Sequence, residues 1–361
     1  MQRSGSAAVV AILLALPALD AVAASLPTPV PTLFTVRSLE PQPGDIAGGA
    51  SGLNNWGDVV GSAFAKPALF ANGQVVPLPG LTAENMTYGG AAAINDAGIA
   101  AGSVYSGSTG IAHAAAFTPG GTIDLGVLPG GADSYALAIN HQGEIVGFAD
   151  NGPDSPTFAD NAVRFSGGVA INLGVLQTNG YSYATAINDL GVAVGYASYG
   201  DGETHATEYV NGRIIDLGVP TGGFISLAYG INNLGQAVGW ADFGGGPGRA
   251  ALFQNGTLTQ LGTLPVSGEC YAVAINNLSH IVGYCEDGVG NEHPALWAQG
   301  QVVALPFLPG TASATPSAIN DEDQIAGTAI LPNASPEGLP QTFAVLWTPA
   351  ASFGLPGRRL P

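Results

Sequence analysis

Ile231-Asn232-Asn233-Leu234-Gly235-Gln236-Ala237-Val238-Gly239 is the stretch that decides the fold, because close copies of it recur along the chain. Seven copies align on their first asparagine, at Asn54, Asn95, Asn140, Asn188, Asn232, Asn276 and Asn320. The gaps between them are 41, 45, 48, 44, 44 and 44 residues. A period of that size marks a repeat architecture in which each unit is one supersecondary module.

Each copy reads as the middle of a four-strand unit. A first strand ends in Ala-x-x-Ile-Asn, as in Ser134-Tyr135-Ala136-Leu137-Ala138-Ile139-Asn140. Asparagine opens a tight turn and glycine closes it three residues later in five copies, which is the side-chain chemistry a type I turn asks for. Ser279 and Asp323 stand at that fourth place in the last two copies, so those turns are expected to differ slightly. A second strand follows through Val-Gly-x-Ala. Its glycine is present in all seven units (Gly61, Gly102, Gly147, Gly195, Gly239, Gly283 and Gly327), which suggests close packing between neighbouring units. After a loop of varying length comes a third strand of the type Ala251-Leu252-Phe253. Then come a hairpin such as Asn211-Gly212 or Asn255-Gly256 and a fourth, alternating strand.

Four antiparallel strands in about 44 residues, seven times over, define an all-β chain and a seven-bladed β-propeller, with an open β-solenoid as the alternative. The ends of the chain favour the ring. The seventh unit lacks a good fourth strand after Trp347, with only Ala351-Ser352-Phe353-Gly354-Leu355 there, while an orphan strand, residues 34–39, precedes the first repeat. An N-terminal strand that completes the last blade would close the ring and remove open edges.

The first residues read differently. Arg3, an apolar run from Ala7 to Leu19 and a small-residue end at residues 21–24 form a secretory signal peptide, residues 1–24. A proline-rich lead-in (25–32), a single seven-repeat domain (33–357) and a short tail (358–361) complete the organisation. No later stretch has the roughly 20 apolar residues of a membrane span. The formal net charge is −18 and lysine is nearly absent, so nothing supplies the cationic stripe a nucleic acid requires. The expected compartment is the bacterial periplasm or the medium, and the expected state a monomer. In an oxidising compartment Cys270 and Cys285, which flank one Ile-Asn turn, pair as a cross-strand disulfide. A bulged turn would instead point the two thiols apart.

The pattern Ser-x-Ala-x-x-Ile-Asn-x-x-Gly-x-x-Val-Gly, then His-Ala-x-x-Phe/Trp, then Asp-Leu-Gly-x-Leu-Pro-Gly, resembles the HAF repeat of predicted bacterial extracellular proteins. His113-Ala114-Ala115-Ala116-Phe117 and His205-Ala206 carry the name-giving pair, and His293 is followed by Pro294. Lys66, Asn161, Arg249 and Phe343 stand at the histidine's place elsewhere. The resemblance covers the mature chain and implies export and a β-rich array. It implies no reaction.

Strand order places the tight turns on one face of the disc and the variable loops on the other, where binding on a rigid scaffold usually sits. The loop side gathers carboxylates and aromatics. Tyr135, Tyr181, Tyr183, Tyr271 and Phe224 are the candidate ligand platform, for a sugar, peptide or protein partner, using tyrosine's flat face and polar tip. Asp150, Asp154 and Asp160 offer hard oxygen ligands to calcium, although their spacing is not that of an Asp-x-Asp-x-Asp-Gly loop. No other cofactor is implied. His113, His205 and His293 would converge on zinc only if their position faced the channel. The residue pattern puts them instead at the start of an outer or middle strand, facing water. No catalytic group stands out, and no Gly-x-Ser-x-Gly elbow is present. The expectation is a secreted binding module. The alternatives are a propeller hydrolase or lyase with a site at the channel mouth, and an envelope or matrix protein.

Overall fold

The computed structural model describes residues 34–39, 48–81, 86–106, 108–152, 160–200, 202–265, 268–332 and 341–350. The expected signal peptide and lead-in, residues 351–355 and the tail lie outside them. All the named elements are strands, and they form seven four-stranded antiparallel sheets. Blade 3 is typical, with strands Ser134–Ile139, Ile145–Asp150, Asp160–Ser166 and Val169–Gly174, in that spatial order from the axis outward. Blade 7 takes three strands from the end of the chain, Ser313–Ile319, Ile325–Leu331 and Gln341–Pro349, and its fourth from the beginning, Phe34–Ser38. Val36 lies opposite Trp347 in that pairing, and the Leu39 amide reaches Ala344 O at 2.9 Å. The ring is closed, and the fold is a seven-bladed β-propeller.

Alanine and valine face neighbouring blades and let the sheets approach closely, while one large residue per blade fills the wider outer gap. That residue is Phe70, Phe117, Phe165, Tyr209, Phe253, Trp297 or Trp347, each buried. The two tryptophans still place their indole N–H, on Gly262 O (2.6 Å) and Pro306 O (2.7 Å). Serine at the start of an inner strand staples neighbours together. Ser134 Oγ accepts from Ala114 N (2.9 Å) and donates to Gly126 O (2.7 Å), both in the preceding blade. Ser182 and Ser226 do the same.

Two sequence expectations need correction here, and a third is borne out by an unforeseen route. The strand glycine does not open room for a neighbouring blade. A Cβ on Gly147 would lie 1.9 Å from Tyr135 O, in its own blade, and Gly195 and Gly239 meet Tyr183 O and Leu227 O at 1.8 Å. The cause is a β-bulge in every inner strand, between Ala136 and Ala138 in blade 3, which turns a carbonyl toward the partner strand. The same bulge explains why the expected disulfide forms. Ile275 opposes Ile281, and an unbroken register would set Cys270 against Glu286. The bulge between Ala272 and Ala274 shifts the pairing by one residue, so Cys270 opposes Cys285 and the two are bonded. Finally, the Ser279 and Asp323 turns do not differ. Both residues adopt the left-handed φ (64° and 57°) that glycine takes elsewhere, with the same hydrogen bonds back to Asn276 O and Asn320 O.

Candidate functional site

The inner strands have two ends, and the ring presents a different surface at each. At the tight-turn end six Ile-Asn pairs and Leu53-Asn54 surround a polar cavity of about 220 Å³ on the axis. Each buried asparagine has two duties there. Its Oδ1 accepts amide N–H groups of its own turn, as Asn232 does from Leu234 N (3.1 Å) and Gln236 N (3.0 Å). Its Nδ2 donates to the backbone carbonyl of the next blade's asparagine, from Asn54→Asn95 O round to Asn320→Asn54 O, at 3.0–3.2 Å. Seven such bonds form a closed belt. A second belt lies above it, in which the next residue's amide donates to a side chain one blade on, as Asn233 N does to Asn277 Oδ1 (2.9 Å). His141 follows Asp96 and interrupts the series. The polar groups of this cavity are therefore spent on joining blades. The same face exposes Trp56, Leu190, Leu234 and Leu278.

At the loop end the inner strands carry aromatic side chains in blades 2, 3, 4 and 6, Tyr88 of blade 2 stacking on Tyr105 (5.6 Å) one step further out than the rest. Tyr135 stacks on Phe148 (centroids 4.7 Å apart), Phe148 meets Tyr183 edge-on (4.8 Å), and Tyr183 contacts Tyr196 (5.0 Å). Tyr181 joins at 5.9 Å and bonds Thr204 Oγ1. Across blades 5 and 6, Trp240 stacks with Tyr271 (6.1 Å) and Tyr271 with Tyr284 (5.0 Å). In blades 7, 1 and 2 the same cross-strand pairs are Thr315/Thr328, Gly49/Ser62 and Gly90/Ser103, so small residues complete the layer. The aromatic half is half-buried.

Carboxylates frame these rings. Tyr183 Oη donates to Asp160 Oδ2 at 2.7 Å, and Tyr271 Oη donates to Glu269. Burial first, then the nearby acids, push the phenols upward: Tyr284 reaches about 12, and Tyr183 and Tyr271 lie higher still. At any physiological pH these hydroxyls are neutral donors beside anions.

Of the residues expected from sequence, Tyr135, Tyr181, Tyr183 and Tyr271 belong to this band. Phe224 does not: it is 60% exposed on the loop before blade 5 and has no ring partner among the described residues. Phe148, Tyr196, Trp240, Tyr284 and Glu269 were not foreseen. Four of them occupy the x of Val-Gly-x-Ala or its equivalent, the position opposite Ser-x-Ala once the bulge is counted. Asp150 and Asp160 are direct cross-strand partners, and Asp154 lies outside the described residues. Asp150 Oδ1 already accepts from Ala132 N and Asp133 N. Among the described residues no three His, Cys, Asp or Glu side chains form a metal-holding group. The histidines begin third strands, as expected, but each turns to carboxylates of its own blade: His113 to Asp124, His205 to Asp216 and Glu203, His293 to Asp287. His205 is buried, which corrects the expectation that it faces water.

The geometry defines a seven-bladed propeller with a hydrogen-bonded structural belt at one end and a partly open aromatic and acidic layer at the other. No family model matches the chain, and no curated protein matches it by sequence. Solved structures do match in fold. A streptogramin B lyase aligns with TM-score 0.56 at 12% identity, over 87% of this chain and 97% of its own. A prolyl endopeptidase aligns with TM-score 0.55 at 13% identity, over 87% and 50%. A puromycin hydrolase aligns with TM-score 0.54 at 14% identity, over 81% and 53%. At such identities the likeness is one of fold alone.

Proposed function

We infer that this chain is an exported HAF-type propeller that binds an extracellular ligand on its loop-rich face, around the aromatic layer of blades 3–6. The single observation that carries this reading is the asymmetry of that layer. The equivalent cross-strand position of every blade could be filled by small residues, as it is in three, yet stacked phenols and an indole occupy it in four consecutive blades and stay only half-buried. Tyrosine and tryptophan provide large contact area at low conformational cost and keep a polar tip for orientation. The disulfide supports an oxidising destination, and no helix of the described residues is long and apolar enough to cross a membrane.

A panel of immobilised glycans and peptides, probed with the mature chain and with Tyr183→Leu, tests the reading. Hits weakened at least tenfold by the substitution, with an unchanged melting temperature, are the expected result. Hits insensitive to every aromatic of blades 3–6 would overturn it. A hydrolytic or lytic activity on this face is a second reading, favoured only by the company the fold keeps. Turnover of a bound hit, followed by mass spectrometry, would distinguish it from simple binding.

A further inference from the structure

Blade 1 departs from the other blades in two ways, and both departures meet in one groove. The first concerns the residue at the histidine's place, near the start of each third strand. His113 and His205 turn to Asp124 and Asp216 on their fourth strands, and His293 turns to Asp287. Asn161 accepts from Asn172 Nδ2 (3.1 Å), and Arg249 donates to the carbonyls of Gly248 and Gly268. Blade 7 has Phe343 there, buried. In blade 1 the residue is Lys66, the chain's one lysine, and it is exposed. The fourth-strand position that carries Asp124, Asn172 and Asp216 elsewhere is Pro77, opposite Ala68. A proline ring has no acceptor to offer. The Lys66 ammonium therefore has no ion or hydrogen-bond partner among the described residues, in a chain of net charge −18.

The second departure is the turn that precedes it. Phe64 and Ala65 form a two-residue hairpin with both residues in the left-handed region, at φ 52° and 57°. A Cβ disfavours that region. Where the chain needs the same conformation in its outer hairpins it uses Asn72-Gly73, Asn211-Gly212 and Asn255-Gly256, the expected chemistry. Ala65 O accepts from Gly89 N of blade 2 at 2.8 Å, which fixes the strained turn. The product of that strain is a phenyl ring held 59% exposed. Backbone strain of this kind gathers at ligand clamps.

The ring and the ammonium border a groove of about 590 Å³, walled by Phe64, Pro67, Val75 and Pro77, with Lys66 its only charged residue. Strand pairing makes it continuous, because Lys66, Ala68 and Phe70 share a face of the sheet with Pro77 and Val75 of the fourth strand. Apolar walls with one unneutralised cation match a ligand that has an apolar body and an anionic head.

We propose that this groove binds a hydrophobic carboxylate, its hydrocarbon body along Val75, Pro77 and Phe64 and its head group on Lys66. The site goes beyond the aromatic layer of blades 3–6 and is independent of it. An exposed ammonium–carboxylate contact strengthens binding by up to about fivefold, and burial of the hydrocarbon against the walls supplies the rest.

The test titrates the folded chain with octanoate and with its neutral isostere octanamide at low ionic strength, by calorimetry and ligand-detected NMR. Octanoate should bind at least threefold more tightly. Acetate, which has the head without the body, should show no binding at the same concentrations. Lys66→Gln should erase the preference by weakening octanoate while leaving octanamide unchanged. Phe64→Asn should weaken both probes at least threefold while the melting temperature holds or rises, because asparagine accepts the left-handed turn better than phenylalanine. A ring that served only packing would lower the melting temperature on removal, and that result overturns the clamp. Equal binding of octanoate and octanamide, or octanoate binding indifferent to Lys66→Gln, overturns the carboxylate assignment. Absence of octanoate binding up to tens of millimolar overturns the site. So does loss of octanoate binding with Tyr183→Leu, which would move the ligand to the aromatic layer.

Discussion

Replacing Asn232 separates the two duties assigned to the belt asparagines. Its side chain is 3% exposed and makes four hydrogen bonds: two accepted from its own turn, one donated to Gln236 Oε1 and one donated to Asn276 O. Asn232→Ala removes them all. At about 1 kcal/mol per net bond, with part of the turn able to recruit water, the loss is about 3 kcal/mol. Asn232→Asp keeps the turn acceptor, and Gln236 can rotate its amide to donate to it, but the carboxylate cannot donate to Asn276 O. An anion facing a carbonyl in a buried place forfeits the inter-blade bond and adds desolvation, so the cost is again about 3 kcal/mol. For a domain of this size the shift is roughly 6–12 °C. Thermal melts by circular dichroism and urea titrations with an unchanged m-value measure it. If Asn232→Asp proved as stable as the parent at pH 7, turn capping alone would explain the residue and the belt would contribute nothing.

Three further outcomes follow from the same structure. Gly239→Ala should cost about 3 kcal/mol by chemical denaturation, because its Cβ would meet Leu227 O at 1.8 Å, whereas Gly256→Ala, in open space at φ 71°, should cost only about 1 kcal/mol. Thiol titration of the unfolded chain, produced in an oxidising compartment, should find no free cysteine. Cys270→Ser with Cys285→Ala, which restores the serine staple toward Ala250 N, should melt above Cys270→Ala with Cys285→Ala by about 1 kcal/mol, both lying below the parent, whose cross-link contributes about 3 kcal/mol. The Glu286 carboxyl is raised in the folded state by partial burial and by Glu269 and Glu292. Folded protein therefore loses stability as pH rises from the ordinary glutamate range through that raised value, and Glu286→Gln removes the loss: its melting temperature should overtake the parent's across that window and stay ahead at neutral pH.

The ring was legible because its evidence is periodic: one motif seven times, and an orphan strand at Phe34–Ser38 matching a gap after Trp347. The bulge was not, though a trace of it stands in the motif. Ala136 and Ile139 both pack against neighbouring core residues yet lie three apart, an odd spacing that an unbroken strand cannot place on one face. Missing it in the strand led to the wrong partner for Gly147, and the bulge supposed at the turn was taken to part Cys270 from Cys285 when the one in the strand brings them together. It also hid Phe148, Tyr196, Trp240 and Tyr284, whose rings come opposite the inner-strand positions only in the shifted register. The second duty of the asparagines was beyond reach for a different reason. Capping a turn is local, whereas donation to a carbonyl about 44 residues away depends on how closely the blades approach the axis, and no local pattern states that distance.

The claim that binding belongs to the loop end is tested most directly by setting the two faces against each other. The tightest hit from the glycan and peptide panel is titrated against Tyr271→Leu, on the aromatic layer, and Leu234→Ser, on the exposed rim of the tight-turn cavity. The account predicts at least a tenfold rise in Kd for Tyr271→Leu and no change for Leu234→Ser. The reverse pattern would place the working surface at the asparagine belt and contradict it.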